Sequence, residues 1–380
     1  MKRRLLLGLA YASLLAAVWL GMLNAACHST LRVDDLREHG EALVGDERLE
    51  LARTYAPFVY HASHPTLGRQ DVPTRVDFDG DLRGDNNWDN FPFFVLRPTV
   101  YYAVLETETH WFLSYHLFHP RDWAPLRLGV NDTHENDGEN LQVVVDKASG
   151  RPVLLYTQAH FCGGVYANPG AGFGDGEEAI RGPLMLVDDA GRPSEAGLHA
   201  CVFVESEGHG IYGLADPHSE ARLEPDGTAV FAEHGLVYRP ALPGEEVHEP
   251  FLDPPPLVPY QLESTTAVLW PGVRDGSLVG PGGLFDGTVR YASGDLEVEV
   301  PRYYEADRFS GPLGSDRGIA PFAMDFGFSE GELGSLFFDP AGRYPQVLAV
   351  PEPWSRRYLG SPWATAGSAR GVAADPARQE

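Results

Sequence analysis

The sequence predicts a mainly β protein: an antiparallel β-sandwich with few short helices and long loops. Three observations predict it. Gly and Pro are abundant, at 42 and 31 of 380 residues, which favours short strands joined by turns over long helices. Aromatic and β-branched runs of strand length recur along the chain, bounded by polar turns. No long amphipathic helix and no internal repeat interrupts them. The 43% hydrophobic fraction is that of a globular protein, and the length is sufficient for a full core.

Taken in order, Lys2-Arg3-Arg4 and the uncharged run Leu5 to Leu23 read as a targeting leader over residues 1–26. Its exit, Leu23-Asn24-Ala25-Ala26-Cys27, resembles a bacterial lipobox in which Cys27 is acylated. Cleavage after Ala25 fits as well. So does an uncleaved anchor, since about 20 apolar residues span a bilayer. Each version puts the body outside the cytoplasm, as a membrane-anchored lipoprotein or a secreted protein. Residues 27–50 read as a polar tether, and Asp46 to Arg53 as a short helix with an acidic start.

Strands follow at Thr99 to Leu105 and Trp111 to Phe118, a plausible hairpin across Glu106-Thr107-Glu108-Thr109-His110. Further strands are expected at Leu141 to Val145, Pro152 to Thr157, Cys201 to Glu205, Ala229 to Ala232, Thr265 to Trp270 and Leu296 to Val300. The Pro-rich stretch Pro250 to Pro259 marks a boundary. It divides a sandwich domain over 51–245 from a β-rich continuation or small second domain over 246–363. Residues 364–380 read as a frayed tail.

Net charge is −25, from 54 acidic and 29 basic residues, which argues against nucleic-acid binding. The acidity suits cation binding, and equally the solubility of a secreted protein. In an oxidising compartment Cys162 and Cys201 are expected to pair as a disulfide, with two buried free thiols as the other reading.

The chemistry concentrates at His134-Glu135-Asn136-Asp137-Gly138-Glu139-Asn140, which enters the apolar strand at Leu141. His134, Asp137 and Glu139 are three metal-ligand types within six residues. Asp122 adds a carboxylate twelve residues upstream, and His160 an imidazole downstream. A hard divalent cation takes several oxygens and tolerates an imidazole, so Ca²⁺, Mg²⁺ or Mn²⁺ is expected rather than zinc in a closed sulfur and nitrogen site. The bland reading is a polar loop whose Asp and Glu cap turns. Neither a Cys-x-x-Cys pair, a His-Glu-x-x-His helix, a Gly-x-Ser-x-Gly elbow nor a phosphate-cradling loop is present.

The same residues carry a resemblance. His134 to Asn140 resembles the Gly-His-Arg-His-Asp-Trp-Glu heptapeptide of the necrosis- and ethylene-inducing-peptide-like proteins, and the Gly-Asp-Trp-Glu motif of the related vacuolar-protein-sorting-associated family. His119-Pro120-Arg121-Asp122 is similar to the first family's Phe-Pro-Lys-Asp, and Gln158 to Gly164 to its Ser-Ala-His-Gly-Gly segment. Glu207-Gly208-His209-Gly210-Ile211-Tyr212 resembles the second family's Asn-Gly-His-Ala-Ser-Tyr. The resemblance spans roughly residues 55–212. It implies a β-sandwich and a metal bound by Asp122, His134, Asp137 and Glu139, with His160 and His209 in the outer shell. The family's Trp is Gly138 here, its second His is Asn136 and its first Gly is Thr133, so cytolysis is not implied.

Other candidates read more plainly. Asp77 to Asp89 departs from a twelve-residue calcium loop, with Leu82 at the sixth position and Trp88 at the twelfth, so a solvated acidic turn is preferred, while a looser, non-helical calcium site stays open. His116 reads as a hydrogen-bonded sheet residue, His119 as a neighbour of ligands rather than a ligand, and His209 as a cavity or turn histidine. Trp111, Trp123, Tyr166 and Tyr212 are candidates to stack on a sugar, or core residues. The function expected is a non-enzymatic binding protein whose metal receives a cell-surface glycan or lipid head group. The resemblance implies the same, since that family's metal contacts a glycolipid sugar. The alternative is a metal-dependent hydrolase with Glu139 or His160 as general base.

Overall fold

A computed structural model describes residues 48–84, 86–122, 125–126, 130–159, 162–250, 256–269, 287–293, 296–302 and 335–361. The leader, Cys27, Trp123, His160 and the tail lie outside them, as do the side chains of His134 and Cys162. The chain is mainly β. In order the strands are β1 (Phe58–Ala62), β2 (Thr99–Thr107), β3 (His110–Asp122), β4 (Pro125–Leu126), β5 (Val130–Asp146), β6 (Arg151–Ala159), β7 (Cys162–Tyr166), β8 (Ile180–Gly182) and β9 (Leu186–Val187). They continue as β10 (His199–Val204), β11 (Ile211–Gly213), β12 (Ala221–Leu223), β13 (Ala229–Phe231), β14 (Gly235–Pro240), β15 (Val258–Ser264), β16 (Gly287–Ser293), β17 (Leu296–Arg302) and β18 (Tyr358–Gly360).

One large sheet runs in the order β11-β10-β1-β14-β15-β2-β3-β5-β6-β7-β8, and β12 and β13 form a separate pair. This corrects the expectation of an antiparallel sandwich. β1 with β10, β14 with β15, β15 with β2, and β7 with β8 pair in parallel, so the sheet is mixed. It also curls. β11, at one end of the order, lies against β6 and β7 near the other. There the Tyr166 hydroxyl donates to Asp216 Oδ2 at 2.6 Å. Alternation in the sequence reports which faces are buried, but not the direction of a distant partner, and strand twist accumulates into curl.

β3 and β5 are buried on both faces. Leu113, Tyr115 and Leu117 with Leu141, Val143 and Val145 line the inside of the curl, beside Val59, Ile211 and Tyr238. Phe112, Phe118 and Val144 face a second cluster, which Tyr344, Val347 and Leu348 complete from around the helix Pro340–Val347. The β2–β3 hairpin and the helix Leu49–Tyr55 lie where the sequence places them.

Two elements differ from expectation. Val258–Ser264, within and just after the Pro-rich stretch, is a strand between β14 and β2. Thr265–Val268, expected as strand, is a helical turn, because the Ser264 hydroxyl accepts from Ala267 N at 3.3 Å. The expected Cys162–Cys201 disulfide is also corrected: Cys201 is a free, buried cysteine. Strand alternation turns its side chain into the cluster of Phe58, Tyr60 and Phe203, and burial pushes its thiol up to about 12. The acidic turn at Asp77 bonds internally, with Arg75 to Asp77 at 2.8 Å and Asn90 to Asp79 at 2.7 Å.

Candidate metal centre

Alternation on β1 sets Val59 and His61 on the inside of the curl, and alternation on β3 and β5 sets Leu117, His119, Glu139 and Asp137 there too. The apolar interior therefore ends in a polar cluster. His119 and Asp137 are direct cross-strand partners. His209 arrives from the turn ahead of β11, stacked on His119 with ring centroids 3.7 Å apart and planes 10° apart. His119, Asp137 and His209 each offer one ligand atom, and these lie within 4.8 Å of one another. All three residues are fully buried.

The backbone is distorted to assemble this group. Among the described residues, the non-glycine positions with left-handed backbone are Asn136 (φ 62°), Glu207 (φ 70°) and His209 (φ 53°), all at this cluster. Such conformations cost about 1–3 kcal/mol each and persist where surroundings over-determine them. Here Asn136 donates to Gly84 O at 2.7 Å and accepts from Asn87, while Glu207 N donates to Asp71 Oδ1 at 3.0 Å.

Asp71, from the 3₁₀ turn Gly68–Asp71, is the residue the sequence reading missed. Its carboxylate accepts from His64 N at 2.6 Å and contacts His209 Nε2 at 3.3 Å, and Asp137 Oδ2 lies 2.7 Å from His209 Nδ1. Burial opposes charge on His209, yet these two carboxylates outweigh it and hold the ring's pKa up at about 10. Burial also opposes charge on Asp71, but the His209 ring keeps its pKa below the ordinary value. His61, lowered by burial to about 4, and His119, well below the usual range for the same reason, are neutral.

Buried carboxylates thus outnumber the one imidazolium, and Asp122 adds to them. It is buried, and with Asp71 it raises the pKa of Glu207, on which burial acts most. His119 Nδ1 is buried and without a hydrogen-bond partner. An acidic excess beside a buried, unpartnered imidazole nitrogen is a donor set that fits a divalent cation.

Of the expected site residues, the structure brings Asp137 and His209 together, and groups them with His119; Glu139 follows Asp137 on the same face of β5, and His61 and Asp71 border the group. For His134 only the main chain is described, opposite Asp122 on β3. His116 is the sheet residue expected: Nδ1 lies 3.1 Å from Asn140 Oδ1, and burial lowers its pKa to about 3. Gly138 has no room for the family's Trp, since a Cβ there would lie 2.9 Å from His116 Cε1. Of the aromatic candidates, Tyr166 is core, Trp111 packs near Tyr55 and Lys147, and Tyr212 stacks on His218. Beside the cluster, His64, Glu207, Glu220, Phe231, Glu233 and His234 line a cleft of about 260 Å³.

No protein-family model matches the sequence, and no curated protein does either. Solved structures are similar over part of the fold. One is described as a toxin fold for microbial attack and plant defense, at 16% identity and TM-score 0.26, covering 46% of this chain and 71% of that one. Another, NLPPya in complex with glucosamine, has 19% identity and TM-score 0.26 over 44% and 67%. A third is necrosis and ethylene inducing protein 2 from the causal agent of cocoa's witches' broom disease, with 13% identity and TM-score 0.25 over 46% and 70%. These neighbours are of the necrosis-inducing type. The vacuolar-sorting half of the resemblance rests on the sequence motifs alone.

Proposed function

We propose that this chain is an extracytoplasmic divalent-metal-binding β protein, whose cation receives a hydroxyl-rich cell-surface glycan or lipid head group. One observation carries the reading: the buried His119, Asp137 and His209 group, with carboxylates in excess, set beside an open cleft. Its polar rim of His64 and Glu207 touches both the cluster and solvent, with His64 Nε2 3.5 Å from Glu207 Oε1. The ligand set of the sequence reading, Asp122, His134, Asp137 and Glu139 around Ca²⁺, Mg²⁺ or Mn²⁺, belongs to the same proposal, and Asp137 is common to both sets. Membrane attachment through an acylated Cys27 would set the cleft near its target. Mass spectrometry of the mature N-terminus separates lipid, free cleavage and uncleaved anchor.

The deciding experiment is a glycan and lipid array probed with and without chelator, for wild type and Asp137→Asn. Binding that the chelator abolishes, and that Asp137→Asn lacks, is expected. Binding indifferent to both removes the proposal. Metal-dependent turnover in a phosphoesterase or glycosidase panel, lost in Glu139→Ala, would replace it with the hydrolase reading.

A further inference from the structure

On the reading that this site holds a cation, we propose that it selects a borderline transition-metal dication of the Zn²⁺ class over Ca²⁺ and Mg²⁺, and that His61 presents the selecting nitrogen of His119. The donor set differs from the one legible in the sequence. Two imidazoles and one carboxylate converge from β3, β5 and the turn before β11. Imidazole suits zinc and its neighbours, whereas calcium and magnesium prefer all-oxygen shells.

The hydrogen bonds assign which nitrogen of each ring faces the ion. His61 Nδ1 lies 2.6 Å from Ala62 O. A carbonyl only accepts, so Nδ1 carries the proton of a neutral His61, and Nε2 is an acceptor. His61 Nε2 stands 3.1 Å from His119 Nε2, so the His119 Nε2–H donates to it. That leaves the lone pair of His119 on Nδ1, the buried atom with no hydrogen-bond partner.

On His209 the same logic applies. Asp71 Oδ1 faces Nε2 at 3.3 Å, and Asp137 Oδ2 faces Nδ1 at 2.7 Å. With Asp71 accepting from Nε2–H, a cation that displaces the Nδ1 proton would be ligated by Nδ1 beside Asp137, its fellow donor. Asp71 and His61 are then positioning residues: each fixes the tautomer of one ligating ring by holding the proton on the far nitrogen.

The test is calorimetric titration of the chelator-stripped full chain with Zn²⁺, Mn²⁺, Mg²⁺ and Ca²⁺. Wild type is expected to take one Zn²⁺ more tightly than Mg²⁺ or Ca²⁺, and Asp137→Asn to lose that equivalent. His119→Phe should lose the preference. His61→Phe should weaken Zn²⁺ about 10- to 100-fold, the usual effect of removing such an outer partner. His61→Gln, which keeps an acceptor for His119 Nε2–H, should restore part of it. Co²⁺ absorption spectra, read beside near-ultraviolet circular dichroism to establish folding, should differ between wild type and the His119 variant. If His119→Phe fails to fold, His119→Gln is read in the same way. Ca²⁺ or Mg²⁺ bound as tightly as Zn²⁺, with His119→Phe unchanged, overturns this proposal and leaves the cation reading intact. No binding of any ion overturns both.

Discussion

His209 shows what a single residue costs and supplies at this site. It sits in left-handed backbone with its ring fully buried between Asp71 and Asp137. A buried charge that loses a partner is destabilising by about 3–5 kcal/mol, because the penalty of burial stays while the attraction goes. Asp137→Asn in the metal-free protein is therefore expected to lower stability by that order, read as a shifted urea midpoint at unchanged slope. Gly138 is constrained differently. A Cβ would lie 2.9 Å from the buried His116 Cε1, so Gly138→Ala overpacks the sheet and should cost about 1–3 kcal/mol. A variant as stable as wild type would mean that His116 can move aside. Asp137 was legible as a candidate ligand from its spacing to Glu139, whereas Asp71 was not. It lies 66 residues before Asp137 in a segment without any motif, and only the curl of the sheet brings it to His209.

At the scale of elements, the curl closes where β11 meets β7. Tyr166 projects from β7 into the interior, and its hydroxyl donates to Asp216 just beyond β11. Gly213 makes the approach feasible, since a Cβ there would lie 2.8 Å from the Tyr166 ring. Burial opposes charge on Asp216. The bonds from Tyr166 and the His218 main chain outweigh it, and hold its pKa below the ordinary 3.8. A depressed carboxylate contributes stability that is present above its unfolded value and lost as pH falls through its folded one. Asp216→Asn should therefore cost about 1.5–3 kcal/mol near neutrality, the scale of a hydrogen bond to a charged group. The difference from wild type should shrink below pH 4, and urea titrations at several pH values measure it. A deficit constant down to pH 2 would mean that the charge is not what holds the seam. Gly213 and Asp216 were not singled out by sequence, because their partner is set by the curl rather than by local propensity.

At the scale of the molecule, net charge −25 makes the compact state self-repelling, and the site adds several buried carboxylates to it. A cation held by β3, β5 and the turn before β11 would tie strands from both halves of the sheet order and relieve local repulsion. Ligand that binds only the folded state stabilises it by about 2.7 kcal/mol at a hundredfold excess over Kd. The thermal midpoint should accordingly rise with added metal in wild type, and stay flat in Asp137→Asn. A rise of equal size in both would place the ion elsewhere. The carboxyl-terminal elements share in this whole. β15 inserts between β14 and β2, β16 pairs with β5, and Tyr344 packs near Phe112.

The sequence by itself determined that the chain is mainly β, where β2, β3, β5 and β6 run, and that polar ligand types enter β5 at Asp137 and Glu139. Those features are local: alternation, β-branched runs and spacing along one strand follow from residues near one another. Tertiary structure alone decided the mixed pairing, the curl that replaces a sandwich, the free Cys201, and the group of His61, Asp71, His119 and His209. Parallel partners are joined by long connections that leave no periodic trace, and a free thiol depends on which face of β10 it occupies. His119 could be taken for a neighbour of ligands because its sequence context shows a turn. Its buried, unpartnered Nδ1 became visible only in the fold, with His61 set across from Nε2, a contact between residues 58 positions apart.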